Sequence, residues 1–212
     1  MEQQEIIIKT PDFKNIVDVI KHYQLHLKRV PFIDYSAISP MNLDSMFLED
    51  LDFALSNVGI DDKETFMSEF VIVPFLRLAW KQHRGLDLFS HVPLRSRDFT
   101  VIPDYLVTGK TALGYKAVEK PLLVTVEAKY EKFNEGWFQA SMQMVAAYQL
   151  NGDLQIPIYC MVSTGELWQF GKLENNTIYQ HPSSVSVQNP QQVAGILSYI
   201  FGECEKNAGL LA

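Results

Sequence analysis

At 212 residues, 47% apolar and 20% charged, the chain can bury the core of one ordinary domain and is too apolar for intrinsic disorder. Against 18 basic residues stand 25 acidic ones, a net charge of −7, which opposes tight, non-specific nucleic-acid binding by the surface as a whole. Screening confines that repulsion to about 8 Å at physiological salt, so a local basic patch escapes it. No apolar run approaches the roughly 18 residues of a membrane span, and the start MEQQEIIIKT carries acid where a signal peptide carries basic residues. The expectation is a cytoplasmic protein with no membrane partner. Cys160, in a strand-like run, and Cys204, in a helix pattern, make neither a disulfide framework nor a paired zinc motif.

After a short apolar start at Ile6–Ile8, the spacing of Ile16, Val17, Ile20, Tyr23 and Leu27 predicts an amphipathic helix over Phe13–Val30, stopped by Pro31. His22 and His26 would lie one turn apart on it, a surface or partly packed pair rather than a zinc site, since no third ligand is near. A turn-rich loop between Pro31 and Pro40 leads to a second helix over Asn42–Val58, ended by Gly59, whose acids read as a solvated face. Asp61–His83 reads as a third helix, opened by an Asp61–Glu64 capping box and kinked or interrupted at Pro74. Glu69 lies among its apolar neighbours. It is either a solvated or capping carboxylate or an acid that reaches a metal ion at the following sheet as an additional ligand.

Residues 77–97 hold Arg77, Lys81, Arg84, Arg95 and Arg97 with His83 and His91, the most basic window of the chain. It is a solvated surface or, beside a cleft, a set of phosphate contacts. From Asp98 the period shortens: Phe99–Thr108 and Pro121–Tyr130 read as adjacent strands. Thr108-Gly109-Lys110-Thr111 between them is no phosphate-binding loop, because Asp104 stands where the first glycine is needed and no helix follows. Phe133–Leu150 reads as a helix ended by Asn151-Gly152. Ile156–Val162 and Glu166–Gly171 read as a hairpin about Ser163-Thr164-Gly165, Thr177–His181 as a further strand, and Gln191–Lys206 as a closing helix.

Chemistry concentrates on Glu127-Ala128-Lys129. Strand side chains alternate, so Glu127 and Lys129 share a face while Ala128 enters the opposite layer. Both are costly to bury without partners. Taken alone they suggest an ion network, but Asp104 on the preceding strand supplies a second carboxylate. Two carboxylates, a backbone carbonyl and waters suit Mg2+ or Mn2+, with Asp104 and Glu127 as ligands. Such an ion lowers the pKa of a bound water and polarises a phosphate, and Lys129 would orient the water and offset charge in the transition state.

Pro103-Asp104 followed by Glu127-Ala128-Lys129 resembles the PD-(D/E)XK nuclease superfamily over roughly residues 61–170. The resemblance implies an α/β, restriction-endonuclease-like fold: a mixed β-sheet flanked by helices over residues 61–212, with residues 1–60 a helical extension packed on it. It maps the family's pre-sheet acid onto Glu69 or, less well, Glu64. It also maps the glutamine that RecB-like and type I restriction-subunit-like members carry after the lysine onto Gln143 or Gln139, with Tyr148 five positions beyond Gln143. The implied activity is metal-dependent hydrolysis of nucleic acid, DNA expected, by in-line attack of a metal-activated water, in a restriction or defence context. A partner protein or a homodimer would deliver the substrate. The alternative is a catalytically inactive protein of the same fold, acting as a protein-binding or structural module. A third reading, an enzyme on another phosphate-bearing substrate, has no residue in its favour.

Overall fold

The computed structural model describes residues 11–59, 63–111, 117–129 and 132–209. The elements in chain order are α1 (Ile16–His22), β1 (His26–Arg29), α2 (Ser45–Ser56), α3 (Lys63–Met67), a π-helical turn over Ser68–Ile72, α4 (Val73–Gln82), β2 (Leu86–Ser90), β3 (Leu94–Arg95), β4 (Thr100–Val101), β5 (Tyr105–Gly109), β6 (Leu122–Ala128), α5 (Phe133–Asn151), β7 (Ile158–Ser163), β8 (Leu167–Glu174), β9 (Thr177–Gln180), β10 (Val185–Ser186) and α6 (Pro190–Asn207). The apolar start at Ile6–Ile8, the cap at Asp61 and the strand end at Tyr130 lie outside the described residues.

A mixed sheet in the order β1-β9-β8-β7-β6-β5-β2, with β10 also on β8, forms the middle of three layers. β2, β5 and β6 make an antiparallel meander, α5 crosses over to bring β7 parallel to β6, and β7, β8 and β9 continue antiparallel. One face packs against α5 and α1 through Leu106, Cys160, Val162, Met144, Trp137 and Val19. The other packs against α2, α3, α4 and α6 through Val124, Val126, Phe75, Leu76, Trp168 and Phe201. Covered on both sides, β5, β6 and β7 are buried throughout, as their near-continuous apolar runs require. Cys160 and Cys204 are buried free thiols. Among the described residues, no helix is long and apolar enough to cross a membrane.

Several expectations are corrected. The helix over Phe13–Val30 ends at His22, and Gln24, at φ 53°, turns the chain into β1. β1 then pairs parallel with β9, so the segment before residue 60 adds a strand to the sheet and is not purely helical. The turn puts His22 against Tyr23 and His26 on an edge strand, which breaks the one-turn pairing of the two histidines. The helix expected over Asp61–His83 is interrupted ahead of Pro74, where α3 gives way to the π-helical turn before α4 begins. Pro74 sits in the first turn of α4, where its missing N–H is tolerated, and the preceding π turn absorbs the change of register. Residues 86–90, read as part of a basic window, are a strand. The expected strand over Phe99–Thr108 is divided, β4 and β5 being separated by Ile102-Pro103-Asp104.

Two polar clamps tie helices to the sheet. Glu205 accepts from the Gly85 N–H at 2.9 Å and meets His83 Nδ1 at 2.8 Å, joining α6 to the end of α4. Asn151, the last residue of α5, imitates a strand partner: Oδ1 accepts from the Leu122 N–H and Nδ2 donates to the Leu122 carbonyl, both at 2.8 Å. Asn151→Ala leaves both Leu122 groups unpaired in a buried position. Chemical denaturation should show a loss of about 2–4 kcal/mol.

Candidate active site

The register of β5 and β6 sets Tyr105 opposite Val126. One step further, Asp104 stands opposite Glu127. The His91 N–H extends the ladder on the other side, donating to the Asp104 carbonyl at 3.0 Å. Since Tyr105 and Val126 point into the core on the α4 side, the two acids leave the sheet together toward α5. Directly opposed residues have Cβ atoms about 5 Å apart, close enough for two carboxylates to share one cation.

Each acid is held individually. The Asp104 Oδ2 accepts from the Ala128 N–H at 2.7 Å. Glu127, 3% exposed, accepts from Lys129 Nζ on Oε1 at 2.8 Å and from Gln143 Nε2 on Oε2 at 2.5 Å. Lys129 lies past the end of β6, and its ammonium also meets Glu64 Oε1 at 3.3 Å. Burial pushes the Asp104 carboxyl above the usual carboxylate range, against the Ala128 N–H and the Lys129 and His91 charges. Burial and then the Asp104 charge push Glu127 up, Lys129 and Gln143 opposing. Burial alone would lower Lys129, but the hydrogen bond and charge of Glu127, with Glu64 and Asp104, hold it above the ordinary lysine value.

The sequence candidates separate cleanly. Asp104, Glu127, Lys129 and Gln143 come together. Gln139 is exposed, so Gln143 is the glutamine at the site, and Tyr148 turns away to donate to Gln155 at 2.9 Å. Both helix acids are exposed, but Glu64 meets the Lys129 ammonium, whereas Glu69 acts through its charge on the Tyr105 hydroxyl. Beside Glu69 on the π-helical turn, Ser68 faces the sheet and hydrogen-bonds that hydroxyl at 2.7 Å. The basic window does not gather here. Arg77 and Lys81 line a groove with Asp44 and Asp50, and Arg84, Arg95 and Arg97 are exposed. His91 is the one member that arrives, its Nε2 3.7 Å from Asp104 Oδ1, on a backbone at φ 53°. Sequence reading missed that role because it missed β2, although Leu86–Ser90 is a short apolar run bounded by Gly85 and Pro93.

The donor set is two carboxylates of hard oxygen chemistry, crowded and under-compensated, which a divalent cation would relieve; it fits Mg2+ or Mn2+. Among the described residues, no three His, Cys, Asp or Glu side chains gather as a metal centre. Gln143 Oε1 is buried with no partner, one acceptor in reserve beside Glu127. Gly136 keeps α5 close to the site: a Cβ there would lie 2.5 Å from Val162 Cγ1 and 3.2 Å from Lys129 Cγ. Gly136→Ala should therefore displace Lys129 and lower any site activity about tenfold or more while the far-ultraviolet circular dichroism stays unchanged.

Compared with protein-family models, with curated proteins and with solved structures, the chain finds no match.

Proposed function

We propose that the chain is a Mg2+- or Mn2+-dependent nuclease that hydrolyses phosphodiester bonds of nucleic acid, DNA first. The observation that carries this reading is Asp104 opposite Glu127 on one face, with Lys129 at 2.8 Å from Glu127. The order helix, three-stranded antiparallel meander, crossover helix, parallel strand supports it, being compatible with a restriction-endonuclease-like core. When bound, the cation supplies electrophilic charge to the scissile phosphate. Asp104 and Glu127 hold it. Lys129, kept charged by its acidic neighbours, orients the attacking water and stabilises the charge that grows on the phosphate. Gln143 positions Glu127, and Glu64 shares the Lys129 ammonium. A homodimer or partner protein that brings the substrate fits the net charge of −7.

A second reading has its own observation. Glu64, Lys129, Glu127 and Gln143 already form a closed ion and hydrogen-bond network, which suits a catalytically inactive structural module. Incubating plasmid, linear and single-stranded DNA with the protein in Mg2+ or Mn2+ separates the two. The nuclease reading expects cleavage by wild type and none by Glu127→Ala or Lys129→Ala. Cleavage that persists in both variants, or no cleavage of any substrate, leaves the structural module.

A further inference from the structure

A cavity of about 480 Å³ opens on the α5 face of the sheet, beside the acidic site but distinct from it. Its walls include Phe133, Asn134 and Trp137 on the first turns of α5, Gln169 on β8, Gln180 on β9 and Arg29 on β1. The pairing explains why these residues meet. Gly171 lies opposite Gln180 and against the Trp137 ring, and Arg29 lies opposite Gln180, so Gln169, Gln180 and Arg29 share the α5 face. They also lie toward the end of the sheet that carries Glu127 and Lys129, because β9 and β1 run in the direction of β6. β8 is two strands from β6, about 10 Å at ordinary strand spacing.

The chemistry of the lining is unusual for this chain. In a molecule of net charge −7, the described residues of the wall include Arg29 and no carboxylate, which favours an anion. The rest of the wall offers aromatic rings and four primary amides, of Asn15, Asn134, Gln169 and Gln180, groups that stack on and hydrogen-bond a heterocycle. Trp137 is itself fixed, its Nε1 donating to Gln169 Oε1 at 2.6 Å, and Gln169 Nε2 donates to Ser184 at 3.1 Å. The wall is therefore pre-organised. The volume is that of a small-molecule site.

We propose that this cavity binds a nucleoside phosphate, base against Phe133 and the amides and phosphate toward Arg29. Resting on the nuclease reading above, we assign that nucleotide to the strand being cut, a short way along from the bond at Asp104 and Glu127. A base can enter only when unpaired, so the substrate class is single-stranded or frayed-end nucleic acid.

Fluorescence anisotropy in EDTA, where no cleavage occurs, tests this with a labelled oligothymidylate, a blunt duplex of equal length, and deoxyadenosine monophosphate as competitor. The single strand should bind about tenfold tighter than the duplex, and Arg29→Ala and Gln180→Ala should each weaken it about five- to tenfold. The monophosphate should displace it in wild type. Equal binding of duplex and single strand overturns the proposal, as does unaltered binding by both variants. Monophosphate binding without oligonucleotide binding overturns the assignment to a strand. Arg29 also donates to the Pro182 carbonyl at 3.1 Å, so melting curves accompany both variants, and Gln180→Ala decides if Arg29→Ala unfolds. A chain that binds but never cuts loses the nuclease reading alone. One that cuts while its cavity variants bind normally loses the cavity alone.

Discussion

On the proposed nuclease function, Lys129→Ala should lower metal-dependent DNA cleavage about 10²–10³-fold, and Glu127→Gln should lower it at least as far. The two losses have different causes. Among the described residues, Lys129 is a cation whose charge acts on Glu127, Glu64 and Asp104 together, and in the proposed reaction its ammonium would act on charge that exists mainly in the transition state. Its removal therefore falls on kcat with little change in KM. Glu127→Gln keeps the shape of the side chain. Its new amide can donate to Gln143 Oε1, which has no partner now, so the fold survives while the ligand charge is lost. Gln143→Ala, which releases Glu127 Oε2, should cost less, about ten- to a hundredfold. Steady-state cleavage of one defined substrate by the three variants checks the ranking. Equal, small effects at all three positions would mark the network as structural.

The second large effect is on stability. Asp104 and Glu127 both titrate above their ordinary values, so between those values and the raised ones the folded state holds more protons than the unfolded state. Stability without metal consequently falls as pH rises out of the ordinary carboxylate range through the raised pKa values, and stays lowered at neutral pH. Lys129 gives a slope of the same sign at high pH: its raised pKa contributes stability that is fully present below the ordinary lysine value and lost as pH rises above it. A divalent cation bound at the proposed site would restore what the acids forfeit. At a hundred times its Kd it adds about 2.7 kcal/mol, roughly 5–10 °C in Tm for a chain of this size. In EDTA at neutral pH, Asp104→Asn should melt about 2–4 °C higher than wild type, for about 1 kcal/mol of relieved burial, and should gain little from Mn2+. Differential scanning calorimetry with and without Mn2+ reads all three quantities.

The site was legible in the sequence because its residues are costly where they stand. A carboxylate and an amine two apart in an apolar strand must have partners, and Asp104, in the apolar run ahead of it, could supply the second acid. β6, α5 and the hairpin of β7 and β8 were legible for the same periodic reasons. What escaped is set by tertiary pairing. Leu25–Arg29 keeps a helix-compatible spacing, and only the edge of β9 draws it into a strand. Leu86–Ser90 was hidden among arginines that dominate its charge, and with it went His91 beside Asp104. The choice between Glu64 and Glu69 depended on a π turn around Pro74 and on the Ser68–Tyr105 hydrogen bond, neither of which a periodicity reveals. The choice between Gln139 and Gln143 depended on how far along α5 the end of β6 falls.

Crystals soaked in Mn2+ and measured at the manganese edge decide whether the two acids share a cation. One anomalous peak is expected between the Asp104 and Glu127 carboxylates, within about 2.0–2.6 Å of an oxygen of each, absent in Glu127→Gln. A fully occupied peak elsewhere, or none at that position in a lattice that leaves the site open, would contradict a shared cation.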